Sequence, residues 1–443
     1  MNHQTFTWDR SGNKIRQTER WLEGLWILVL LLAALLLLLI NLDSLPLPDE
    51  VEKMASQIAE QIPRTSVKFP QWLYSATNNT TNPVQSPLLY WLIAAVYQIS
   101  GNNLWMVRLP DALLTAFSVP LLYGIGREIF PSRQTAIFSS LIYLTLLPVI
   151  HHGRLALIDG TVLCLIVLMM WCVLRSRRDL RWSFGVGIGL GLICLTKGLL
   201  LGLLLLTIAF LFLGWDTPRL LTSFYWWSGL LLGIAPTTAW YIVGLLQLGL
   251  LPKDIFNQPQ VLLWASVETE PINFTWYNLM LRDIFAVPWI LFLPYGLQLA
   301  WNNYNWGWAK LVLVWAGLYL GVIAVILNKL PGDFGDLLPI YPALALAEGA
   351  LLTEVWNWPS HKTFPRFWSI GLSLMAIAAS FISVHFSRLN PVNWSLALFF
   401  AAVALTMTIA AVLVARRDLQ FIVILFWGSY ISLLLFVTSP YWT

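Results

Sequence analysis

Asp49-Glu50, Arg108, His151-His152, Arg154, Asp159, Lys197 and the segment 329–336 place ionisable side chains at the margins of long apolar runs. A charge near the centre of a bilayer costs about 2.5–3.5 kcal/mol on insertion scales, so such groups need partners or a water-filled cavity. The set holds carboxylates that can take a proton and cations that can hold a phosphate. A carboxylate within hydrogen-bond reach of a hydroxyl acts as a general base worth about 10²–10⁴-fold. Arginine grips a phosphoryl group in a two-pronged geometry, and lysine neutralises it as a point charge. Together these types describe group transfer from a phosphate-activated donor, and the apolar surroundings give a reason for that donor to be a lipid. Each place also has a plain structural reading. Asp49-Glu50 follows Pro48 at the start of a helix, where carboxylates meet the helix dipole whatever the function. Arg108 and Lys197 can snorkel from span ends, and Arg154 can pair with Asp159 to close two adjacent helices. The segment 329–336, with Pro331, Gly332 and Gly335, reads as an outer turn. His151-His152 has no further ligands at informative spacing and reads as an ordinary polar span end.

The elements that must position these groups are membrane helices. The chain is 58% apolar and 11% charged, whereas a soluble domain has about 25% charged residues. That composition excludes a soluble fold. Runs such as 21–42 and 396–414 match the roughly 20 residues that cross a bilayer. The pattern predicts an all-α polytopic protein of about 13 spans. They fall near residues 22–42, 105–126, 134–150, 158–174, 182–196, 199–214, 222–247, 284–301, 308–327, 337–353, 368–386, 393–414 and 419–437. The formal charge of +4 is scattered, which gives no support to nucleic-acid binding. Cys164, Cys172 and Cys194 lie inside apolar runs and form no disulfide framework or zinc cluster. Nothing in the sequence requires a metal or soluble cofactor.

The first run is long for a signal peptide and reads as a retained anchor behind Arg10, Lys14, Arg16 and Arg20. With that end cytoplasmic, most basic residues fall in inner loops, including Arg127, Arg133, Arg175, Arg177, Arg178 and Lys310. Two long outer loops follow, 43–104 and 248–283, and function is expected there. Val51, Met54, Ala55, Ile58 and Ile62 share one face of an amphipathic surface helix over 49–62. The stretch 87–99 is short for a span and suits a second interfacial helix. Tryptophans such as Trp21, Trp105, Trp182, Trp215, Trp306 and Trp368 mark span ends as interface anchors.

The order of short motifs resembles the GT-C glycosyltransferases, in the branch of the protein O-mannosyltransferases and the lipid A aminoarabinose transferase. The matching pieces are Pro48-Asp49-Glu50, Pro87-Leu88-Leu89-Tyr90-Trp91-Leu92 and Arg108-Leu109-Pro110. Arg154 with Asp159, Leu195-Thr196-Lys197-Gly198, Lys329-Leu330-Pro331 and Leu338-Pro339-Ile340-Tyr341-Pro342 continue the series. The resemblance covers residues 22–353 and implies a GT-C-like catalytic unit over 1–353, followed by membrane helices in 354–443. It also implies sugar transfer, with inversion, from a polyprenyl-phosphate carrier to a protein, lipid or glycan acceptor at the outer face of the cell membrane. Asp49 would be the catalytic acidic residue, with Glu50 beside it and Asp159 as the second acidic position. Lys53, Gln85, Tyr90, Arg108, Arg154, Lys197 and Lys329 would meet the donor phosphate or line the cleft. The chain departs from the family at two points. Val84-Gln85-Ser86-Pro87 stands where many relatives have Glu-Lys-Pro-Pro, whose lysine contacts the carrier phosphate. Glu52 stands where an arginine often follows the catalytic aspartate. A transporter or lipid flippase, and a non-catalytic lipid-binding relative, are the alternative readings.

Overall fold

The computed structural model describes residues 12–43, 52, 56–57, 59–60, 87–100, 103–248, 287–326, 337–359, 363–388 and 394–439. Among these every regular element is helical. The order begins α1 (Gly12–Leu39), α2 (Pro87–Ser100), α3 (Leu104–Ile129), α4 (Arg133–Leu144), α5 (Leu147–Arg154), α6 (Asp159–Ser176) and α7 (Ser183–Lys197). It continues with α8 (Leu199–Asp216), α9 (Phe224–Leu248), α10 (Leu293–Asn302), α11 (Gly307–Ile326) and α12 (Tyr341–Trp356), and closes with α13 (Arg366–Arg388), α14 (Trp394–Ala415) and α15 (Gln420–Val437). Short 3₁₀ turns link several of them.

Nine of the described helices are long and apolar enough to cross a bilayer, or ten if α4 and α5, bent by 57°, count as one broken span. The expected thirteen is not reached among the described residues. At 1.5 Å per residue, the 15 residues of α7 and the 10 of α10 fall short of a hydrocarbon layer about 30 Å thick. The α4–α5 break has a local cause. Pro148 near the start of α5 has no N–H to continue the helix. Thr145 closes α4 by donating its hydroxyl to Leu141 O at 2.7 Å, and Trp289 Nε1 donates to the same hydroxyl at 2.9 Å.

Helix α2 has 14 residues and is not a span. Its buried face of Leu89, Tyr90, Ile93, Ala94 and Tyr97 packs with Ala59, Val107 and Ala156 into a small core of its own. Of the amphipathic helix expected over 49–62, Glu52, Ser56, Gln57, Ala59 and Glu60 are described, and all are helical. Gln57 is exposed, as a polar residue of such a helix should be, but Glu52 is fully buried because Arg108 takes its carboxylate. Ala59 is buried too, and Ser56 Oγ hydrogen-bonds Tyr97 Oη at 2.9 Å. The rest of that stretch and the loop 248–283, apart from Leu248, lie outside the described residues.

The large core runs through α1 and α3 to α15, with helices apolar on their outer faces as well. In α1, Leu30, Ala34, Leu37 and Leu38 are buried while Trp21, Leu25, Leu28 and Leu32 are exposed. Such all-round apolarity fits a helix with protein on one side and lipid on the other. Trp21, Trp215 and Trp306 are exposed, as interface anchors would be, but Trp368 is not an anchor. It is fully buried in an aromatic cluster with Phe292, Tyr295, Trp358, Phe364 and Phe421, because its place on α13 faces the bundle.

The main chains of α7 and α9 approach one another closely. Gly187 and Gly191 on α7 face Gly229 and Gly233 on α9, each pair spaced four residues apart on its helix. A Cβ on Gly187 would lie 2.0 Å from Gly229 O, and one on Gly233 would lie 2.0 Å from Gly187 C. Only glycine admits this backbone contact. Thr237 Oγ1 locks the seam by donating to Gly191 O at 2.9 Å. Gly233→Leu should force the two helices apart, since overpacking a filled contact costs about 1–3 kcal/mol or more. A lower melting temperature in detergent is the expected result. An unchanged melt would show that the seam does not hold the fold.

Candidate active site

Helix α3 gathers charged groups at both ends. Arg127 and Glu128 lie near its C-terminus, and several of the basic residues expected on the inner side pair with carboxylates. Glu23 accepts from Arg127 Nε and Arg133 Nε at 3.0 Å each, and also from Tyr123 Oη. Glu128 pairs with Arg175 and Arg178, and Asp216 with Arg177 at 2.7 Å and Lys310 at 3.4 Å. These pairs are partly exposed, where each is worth about 0–1 kcal/mol.

The other end of α3 is different. Asp159 is the first residue of α6, where its carboxylate faces the positive end of the helix dipole. Lys197 is the last residue of α7, where its ammonium faces the negative end. Gly198, with φ of 88°, then turns the chain directly into α8, a backbone conformation that favours glycine. The two opposite charges meet, with Lys197 Nζ donating to Asp159 Oδ1 at 2.5 Å. His152 on α5 joins them through Nδ1, 2.9 Å from Asp159 Oδ2. An ionised carboxylate only accepts, so His152 Nδ1 carries the hydrogen. The Lys197 side chain is 27% exposed, that of His152 17% and that of Asp159 14%. The cluster therefore opens to a surface.

Behind it lie fully buried charges. Arg108 donates Nε to Glu52 Oε1 at 3.1 Å, Nη2 to Oε2 at 2.8 Å, and Nη1 to Leu42 O at 2.9 Å. Both side chains of the pair are 0% exposed. Arg154 is buried too, and its guanidinium caps the C-terminal end of α1. Nη1 donates to Leu37 O at 2.7 Å and Leu38 O at 3.1 Å, and Nη2 to Ile40 O at 2.7 Å and Asn41 O at 3.1 Å. A cation there answers carbonyls that the helix itself leaves without partners. Arg108 and Arg154, expected at the donor phosphate or on the cleft wall, are both buried, behind the partly exposed cluster. The pairing of Arg154 with Asp159 gives way, because α1 takes the guanidinium while Asp159 takes Lys197 and His152.

Asp111, one turn beyond Arg108, is fully buried and holds the start of α6. Its Oδ1 accepts from Thr161 N at 2.8 Å and from the Thr161 hydroxyl, and its Oδ2 from Gly160 N at 3.2 Å. Tyr90 sits in the small α2 core, where burial raises its phenol well above the ordinary range and keeps it protonated. Asp49, Glu50, Lys53, Gln85 and Lys329 lie outside the described residues.

Sequence reasoning missed the roles of three residues at this end of the bundle. His152 reads in sequence as an ordinary polar span end, and only its place shortly before Asp159 hints at the contact. Asp111 ends the Arg108-Leu109-Pro110-Asp111 stretch, and an acid inside an apolar span is itself the signal. Glu52 stands out as a departure from the family, and no pattern points to Arg108 as its partner.

Comparison with known proteins places this architecture. Residues 84–243 match the family model described as dolichyl-phosphate-mannose-protein mannosyltransferase. The structure of ArnT from Cupriavidus metallidurans bound to undecaprenyl phosphate aligns with a TM-score of 0.68 at 19% identity, over 93% of this chain and 76% of that one. The chain has a GT-C fold, and over residues 84–243 it is similar to the protein mannosyltransferases. This GT-C chain is also 28% identical to undecaprenyl phosphate-alpha-4-amino-4-deoxy-L-arabinose arabinosyl transferase 1 of Pseudomonas fluorescens, over 76% of its own length and 60% of that protein. The corresponding transferase of Pseudomonas paraeruginosa is 24% identical, over 66% of this chain and 54% of that protein. The GT-C chain thus spans between 54% and 60% of the length of these curated relatives. An oligosaccharyltransferase from Archaeoglobus fulgidus shares the fold more distantly, with a TM-score of 0.52 at 15% identity, over 95% of this chain and 55% of that one.

Proposed function

We propose that this chain is a membrane glycosyltransferase that moves a sugar from a polyprenyl-phosphate carrier to an acceptor at the outer face of the membrane, with inversion at the sugar carbon. The observation that carries the reading is the Lys197–Asp159–His152 cluster, a partly exposed cation held by a carboxylate at converging helix ends. A phosphate leaving group needs such a cation, and helix termini fix it before any substrate arrives. The names of the Pseudomonas relatives favour an undecaprenyl-phosphate donor and a pentose as the sugar.

In this reading Asp49 is the catalytic carboxylate, with Glu50 beside it. Asp159 orients Lys197 toward the donor phosphate, while Lys53, Gln85 and Lys329 line the approach and Tyr90 supports it from the α2 core. Arg108 and Arg154 support the cleft from behind. Residues 1–353 form the catalytic unit and 354–443 its C-terminal helices. The N-terminus faces the cytoplasm and the site faces the periplasm or exterior, as the sequence bias of basic residues toward one set of loops favours. The acceptor is a protein, a lipid or a glycan. The test is to mix purified protein in detergent with radiolabelled undecaprenyl-phosphate sugars and a pool of cell-envelope acceptors. Transfer without a sealed compartment is the expected result and excludes a purely transport role. Absence of transfer with every pentosyl and hexosyl donor would leave a lipid-binding protein, the reading that Gln85 favours.

A further inference from the structure

The backbone around Asp159 is gripped from both sides by buried carboxylates that belong to other elements. Three residues before it, Ala156 N donates to Glu52 Oε1 at 2.6 Å. On its other side, Gly160 N and Thr161 N donate to Asp111. The two grips share a base. Arg108, which holds Glu52 through two hydrogen bonds, and Asp111 lie one turn apart on α3, and Glu52, Arg108 and Asp111 are all 0% exposed. Their burial keeps them from meeting a donor directly. Their acceptors point at the main chain that carries Asp159, whose side chain holds Lys197 and His152 at the surface.

We propose that Asp111 and the Glu52–Arg108 pair are positioning residues for the transfer reaction: a clamp that sets the Asp159 main chain, and through it the Lys197 ammonium, at the donor phosphate. This rests on the glycosyltransferase reading above.

The clamp acts through geometry. A misplacement of about 1 Å at a catalytic group can cost on the order of 10²-fold in rate. Asp111→Ala removes the acceptor for Gly160 and Thr161, whereas Asp111→Asn keeps one carbonyl oxygen for them. The expected result for Asp111→Ala is a fall in kcat of about tenfold or more, with donor KM changed less than about threefold, and substantial rescue in Asp111→Asn. Removing Glu52 alone leaves a buried guanidinium without its counter-charge and can prevent folding, so the second variant is the double Glu52→Leu/Arg108→Met. Replacing a whole buried pair by apolar residues is often neutral for stability. It should fold, melt near wild type and lose turnover in the same pattern.

Hydrogen exchange over residues 155–161 supplies a readout independent of activity, and it should quicken in both Asp111→Ala and the double variant. Turnover within about threefold of wild type in a folded Asp111→Ala or double variant overturns the proposal. So does an Asp111→Asn enzyme as impaired as Asp111→Ala, because acceptor geometry is then not the cause. If the wild-type chain transfers no sugar, the glycosyltransferase reading fails by itself, and unchanged exchange over 155–161 would separately overturn the clamp.

Discussion

Asp49→Asn is expected to abolish sugar transfer, lowering turnover by about 10²–10⁴-fold, while abundance and membrane insertion stay at wild-type levels. Asparagine keeps the shape of the side chain and loses both the charge and the ability to take a proton. A hydroxyl acceptor must give up its proton as the new bond to the sugar carbon forms, so the loss should appear in kcat more than in donor KM. An acceptor that is itself a phosphate needs little deprotonation, and the drop would then be smaller because the aspartate only positions it. Initial rates with radiolabelled donor on hydroxyl and phosphate acceptors separate the two cases. Wild-type turnover by the Asp49→Asn enzyme on either acceptor removes the assignment.

Lys197→Ala is the second large effect. It withdraws the ammonium that lies 2.5 Å from Asp159 and leaves that carboxylate with His152. If Lys197 meets the leaving phosphate, its charge matters most as the sugar–phosphate bond breaks, and loss of one such donor costs on the order of 10²–10³-fold in rate. The fold should survive, since the pair is partly exposed and Asp159 keeps its place at a helix N-terminus. Lys197→Arg is expected to recover only part of the rate, because a planar fork does not replace a compact point charge against a carboxylate already in position. Rates measured across donor concentration decide the matter. An unchanged dependence on donor in Lys197→Ala withdraws the role.

How far the sequence alone reaches depends on the kind of physics involved. The helices were legible because membrane burial imposes an apolar run of a definite length, and each expected span meets a helix. The length of each helix was less legible. Apolarity does not reveal that Pro148 breaks a span in two, or that α7 stops at 15 residues where a lysine and a glycine turn it. The Asp159 and Lys197 positions were readable because charge at the edge of an apolar run is costly and so carries information. Their partnership was not, because it depends on α6 starting beside the place where α7 ends. Arg108 and Arg154 show the opposite limit. A cation at a span margin looks the same in sequence whether it faces a phosphate, a buried glutamate or the carbonyls at the end of α1, and only the packed bundle distinguishes them. Trp368 makes the same point for aromatic residues, since a tryptophan at a helix end belongs to the interface or the interior according to which way its helix is rotated.

The glycine contact between α7 and α9 bears on how a bulky lipid could be admitted. Lys197 stands at the tip of a helix whose main chain touches its neighbour, so the backbone that carries this charge is held in place. Its place is set in advance, which spares the reaction the work of arranging it anew in every cycle. In the proposed reaction, admission of the lipid carrier would then fall to segments other than this helix pair.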